Sequence, residues 1–206
     1  ERAVQIVSGF PDPAYQLIVH GGLAQVLRAT GEAAREASLW QGLLLARDVG
    51  PPHQLHQLHV LNGVACCALH RGATEEAASA CEQAFGVLAA APELRAHWAQ
   101  RFHLHVALAE LSDGSAARAQ ASAEAAAREA SGLAEGDAEG GVEGEAQGKL
   151  ARVAMQEAAS LVLGDARAAT GDVEGALRAW GALAPPEGAE AAMEAAEAAE
   201  AAGVAG

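Results

Sequence analysis

Lysine is nearly absent from this sequence: Lys149 stands alone, and the 206 residues hold 13 Lys and Arg against 27 Asp and Glu. Nucleic-acid binding needs clustered cations to displace counterions from phosphates, and anionic membrane surfaces ask for the same, so neither is expected as a partner. Aromatic residues make up only 3% of a chain that is 51% hydrophobic, so its core must be Ala, Leu and Val. No apolar run approaches the roughly 18 residues that would suggest a membrane span, and the N-terminus lacks the charged-then-apolar pattern of a leader. The three cysteines, Cys66, Cys67 and Cys81, are odd in number with two adjacent, a poor disulfide framework. A reducing, intracellular location, cytoplasmic or nuclear, follows as the expectation. Alternating β-branched runs are missing too, and alanine has the best helix propensity, which leaves an all-α chain.

What the sequence does have is a punctuation that recurs. Residues 161–180 read as helix, Gly171-Asp172 turn, helix, with Gly164 where two helices touch closely and Ala176 four residues ahead of Trp180. The frame returns as Arg71-Gly72-Ala73-Thr74 with Ala77, Cys81 and Ala84, and as Asp113-Gly114-Ser115 with Ala119, Ala123 and Ala126. A weaker copy is Thr30-Gly31-Glu32 with Ala37. In each strong copy an alanine lies five residues past the turn glycine, and a small residue (Ala65, Ala107, Gly164) lies seven before it. This pattern resembles the tetratricopeptide repeat (TPR) family, although the large aromatics are mostly missing and the slot for Tyr holds Ala68, Glu110 and Arg167. Turn glycines at 31, 72, 114 and 171 are separated by 41, 42 and 57 residues, against about 34 in the ordinary repeat, so the likeness is to extended repeats. The resemblance implies a right-handed α-α superhelix, a solenoid of about four helical hairpins.

Three hairpins are expected over residues 1–131 and a fourth over 149–184. Between them, 132–148 alternates glycine with acids and has almost nothing to bury, which reads as a solvated insertion, with helix resuming near Lys149 or Leu150. Asp12 and Pro13 suit a helix start, Thr74 suits a cap for its helix, and Pro185-Pro186 a stop. The Ala/Glu tail 185–206, with Glu190, Glu194, Glu197 and Glu200 in a stripe, suits a terminal helix covering the end of the stack. Charge is uneven: the acids exceed the bases by 11 to 8 over residues 1–119 and by 16 to 5 over 120–206.

Catalytic and metal chemistry find little footing. His53, His56 and His59 invite a metal reading, but no acid or cysteine of matching spacing joins them, and a polar helix start with Leu55 and Leu58 inward is the better account. His103 and His105 point to opposite sides of one helix. The cysteines lack a Cys-x-x-Cys motif and read as core packing. His20-Gly21-Gly22 has no Gly-x-Ser-x-Gly partner, and its glycines read as a close helix crossing. Neither a phosphate loop nor a calcium loop is present. No cofactor and no enzymatic activity are expected.

The resemblance implies that the first helix of each hairpin lines a concave groove where peptides or helices lie. Counting thirteen, ten, nine, six and two residues back from each turn glycine places Gln25, His59, Asn62, His70, Arg101, His105 and Asp165 there, with Gly21, Gly22, Gly63, Cys66, Leu104, Leu108, Leu161 and Val162 among their neighbours. Family members that hold a chaperone's C-terminal carboxylate use paired Lys and Asn at these positions, and here only Asn62 is of that kind. The expectation is an adaptor or scaffold that docks a protein or peptide partner, with a ligand-sensing domain of a regulator, or a His-containing metal-binding protein, as the alternatives.

Overall fold

The computed structural model describes residues 13–45, 54–132 and 142–181. Eight α-helices occupy them: α1 (Pro13–Ala29), α2 (Ala33–Leu45), α3 (Gln54–His70), α4 (Thr74–Ala90), α5 (Arg95–Ser112), α6 (Ala116–Gly132), α7 (Val142–Ala169) and α8 (Val173–Gly181). Among the described residues there is no strand, so the all-α expectation holds. Asp12, residues 1–10, the Pro185-Pro186 stop and the tail cap lie outside the described residues.

Four turns with one geometry pair these helices. Gly31, Gly72, Gly114 and Gly171 all have positive φ, from 70° to 85°. At each, the glycine N–H donates to the carbonyl three residues back and the next N–H to the carbonyl five back, as in Gly72 to Leu69 (3.0 Å) and Ala73 to Ala68 (2.8 Å). This double closure satisfies the last free carbonyls of the helix and needs a left-handed residue, which selects glycine. Each turn folds α1 on α2, α3 on α4, α5 on α6 and α7 on α8. The pairs then pack in file, α2 on α3, α4 on α5 and α6 on α7. The first helices also meet one another: α1 touches α3, α3 touches α5, and α5 touches α7.

The periodic small residues are where the helices close. Ala65, Ala77, Ala107, Ala119 and Ala176 are completely buried. The core changes character along the stack, from Trp40, Leu58, Leu61, Leu88, Trp98 and Phe102 in one cluster to Leu104, Ala107, Ala123, Ala126, Ala159 and Val162 in the next. Gly164 lies under Trp180, as its place in the pattern suggested: a Cβ there would come within 2.2 Å of the indole nitrogen.

In the first hairpin, the weaker copy, the position five past the turn glycine is Glu36; it is fully buried, and Arg28 and the Trp40 indole N–H (3.4 Å) donate to its carboxylate. A charge without such donors could not remain there. Thr74 does not cap α4. Ala73 holds the cap position, and the Thr74 hydroxyl instead donates to Asp113 Oδ1 (2.7 Å) at the next turn. Asp172 does cap, accepting from the Gly175 N–H at 2.9 Å. Helix α7 begins at Val142, so helix takes in the last seven residues of the expected 132–148 insertion. Finally, a Cβ on Gly21 or Gly22 would meet nothing within 4 Å, so no close crossing forms there among the described residues.

Candidate functional site

The most distinctive polar surface lies where α3 and α5 meet. On α3, Leu55, His59, Asn62 and Cys66 follow at steps of four, three and four and so share one face; on α5, Trp98, Arg101 and His105 do the same at three and four. Cross-helix contacts join the two stripes. His105 Nε2 lies 3.0 Å from Asn62 Oδ1 and 3.5 Å from Cys66 Sγ. His59 stands edge-on to Trp98, with ring centroids 4.6 Å apart, and the Arg101 guanidinium sits 5.4 Å from the centre of that indole. Trp98 is itself buried and forms the floor.

Electrostatics keep both imidazoles neutral. Burial, and then the Arg101 charge, push the His105 pKa down to about 4. His59 is lowered by burial, Arg101 and His56. A carbonyl oxygen can only accept, so neutral His105 donates Nε2–H to Asn62, leaving Nδ1 as a buried lone pair without a hydrogen-bond partner. Burial pushes the Cys66 thiol up. Thiol raised and imidazole lowered are the reverse of what an activated Cys-His pair needs, so their proximity does not make a nucleophile. Cys67 and Cys81 are buried, and the Cys81 thiol is pushed up to about 12 by the same cause.

Of the residues expected in the groove, His59, Asn62, Arg101 and His105 come together. His70 is exposed at the far end of α3, about 16 Å along the helix from His59 at 1.5 Å per residue. Gln25 is exposed on α1. Asp165 is exposed on α7 and accepts from the Trp180 indole at 3.2 Å. Three neighbouring positions do not belong to an open surface: Leu104 and Val162 are buried in the core, and Gly63 is covered by Trp40. Leu55, read as facing inward, is 47% exposed, whereas Leu58 is fully buried. His103 points away from His105 and packs against Phe85, centroids 4.6 Å apart. Leu55 and Trp98 are the members that residue type concealed, since both read as core; the stripe through 55, 59, 62 and 66 was the signal available.

The chain matches no family model, no curated protein and no solved structure. Among the described residues, no three His, Cys, Asp or Glu converge in a metal-binding group, and no helix is long and apolar enough to cross a membrane.

Proposed function

We propose that this chain is a TPR-like stack of helical hairpins, coiled as a right-handed superhelix, and that it works as a non-catalytic interaction scaffold docking a peptide or helix across its first helices. One observation carries the reading. The contacts α1 to α3, α3 to α5 and α5 to α7 set four first helices side by side, and on that shared surface lies a patch with an indole floor, a guanidinium and two neutral imidazoles. A layer of parallel neighbours offers an extended surface rather than a closed pocket, which suits a chain-like ligand. Aromatic and arginine side chains are the residue types that dominate binding energy at such surfaces. Leu161, 49% exposed on α7, extends the surface with an apolar element beyond α5.

The test is selection of binders from a random peptide library on the full chain, followed by affinity measurement on the variants His59→Ala and Arg101→Ala, both checked for unchanged helicity. Selected peptides should lose about tenfold in affinity with each variant, the size of a strong interface residue. An empty selection, or binders indifferent to both substitutions, would refute the assignment of this surface.

A further inference from the structure

In the first three hairpins the acids are concentrated in the second helices, whereas the first helix of the fourth, α7, carries Glu157 and Asp165. The first helices α1, α3 and α5 contain a single acid, Glu110, against Arg28, Arg95 and Arg101 and seven of the eight histidines. The second helices α2, α4 and α6 contain Glu36, Glu75, Glu76, Glu82, Glu124 and Glu129. Even Glu110 is turned to its own hairpin partner, accepting from the Ser122 hydroxyl of α6 at 2.8 Å. In a chain with a formal charge of −14, the surface shared by α3 and α5 therefore carries no carboxylate of its own helices that faces it, Glu110 being turned to α6.

Arg101 is the centre of that surface. Arg71, Arg95 and Arg167 each hold a carboxylate, at 2.6, 2.6 and 3.3 Å, and Arg28 holds Glu36. Arg101 makes no ion pair among the described residues, and its Nε is buried without a hydrogen-bond partner. Its guanidinium is held over Trp98 and faces the neutral rings of His59 and His105. A carboxylate arriving over the indole would accept from the terminal nitrogens of the guanidinium and supply the missing opposite charge. From this complementarity we infer that the occupant of the α3–α5 surface is an acidic peptide segment of a partner protein, with a carboxylate side chain seated on Arg101 and an apolar neighbour against Leu55.

This inference rests on the docking reading above, and its test separates the two. The probe is a short fluorescein-labelled peptide of Glu and Leu, compared by anisotropy with Gln/Leu and Lys/Leu counterparts on the full chain. The Glu/Leu peptide should bind at least about tenfold more tightly than either counterpart, and Arg101→Gln should remove that advantage while Arg128→Gln on α6 leaves it intact. Added salt should weaken the wild-type complex. Equal binding of Gln/Leu and Glu/Leu, or a preference untouched by Arg101→Gln, overturns the acidic assignment and leaves docking standing. If none of these peptides binds while the library selection still yields binders sensitive to Arg101, the acidic assignment alone falls. If no peptide of any kind binds and sedimentation shows self-association abolished by Arg101→Gln, a second copy is the occupant and both readings fall.

Discussion

Trp40 and Trp180 each stand nine residues past a turn glycine, and each lies on another glycine, yet they do different work. Trp180 packs on Gly164 within its own hairpin, whereas Trp40 reaches across to Gly63 of the next, where a Cβ would come within 2.5 Å of the ring. Trp40 is buried and its N–H is committed to Glu36, so the ring has little room to move. Gly63→Ala should therefore destabilise by about 1–2 kcal/mol, because overpacking outweighs the helix propensity gained. Gly164→Ala should cost less than Gly63→Ala, because Trp180 is partly exposed and can give way. Urea denaturation of both variants checks the order, and a Gly63→Ala variant as stable as wild type would contradict the packing described. The Gly164 contact was legible in sequence because glycine and tryptophan both sit in the hairpin frame. The Gly63 contact was not: no local pattern tells a tryptophan whether its partner lies in its own pair or the next.

At the scale of the element, the turn glycines were the most readable feature, since a left-handed closing residue leaves a glycine in a fixed place. Two glycines, one in a turn and one in a helix, allow a direct comparison. Gly72 has φ of +70°, while Gly86, inside α4, has open space where a Cβ would stand. Gly72→Ala should destabilise by about 1–2 kcal/mol, and Gly86→Ala should stabilise by about 0.5–1 kcal/mol. Thermal melts of the two should move in opposite directions; a shared direction would count against the turn geometry. Helix starts were less readable. Thr74 looked like a cap, but its hydroxyl is taken by Asp113, a residue brought near only by the stacking of two turns. The start of α7 at Val142 was hidden by its glycines, because composition weighs each residue alone while a helix, once nucleated, adds residues cooperatively.

For the molecule as a whole, the partly desolvated imidazoles set a dependence on pH. The folded state lowers the pKa of His105 from 6.5 to about 4, so the unfolded chain takes up a proton first as pH falls. Stability attributable to this group is complete above pH 6.5 and is lost progressively toward pH 4, at about 1.4 kcal/mol per pH unit, or about 3 kcal/mol in all. His59 and His103 are lowered as well and act in the same direction, whereas the lowered carboxylates Glu32 and Glu124 lose their contribution only as pH falls through the ordinary carboxylate range. Urea melts between pH 7 and pH 4.5 should show His105→Gln losing less stability than wild type; parallel losses would refute the assignment to His105. By itself the sequence determined the helical class, the four turns and the small residues between helices, because these depend on local backbone preference and on spacing within a pair. Only the tertiary structure decided that Glu36 is a buried partner of Arg28, that Trp98 floors a polar patch and that Arg101 has no counter-ion among the described residues. The contacts that decide them join side chains of different helices, 8 to 43 residues apart in sequence, and no rule of spacing along one helix contains that information.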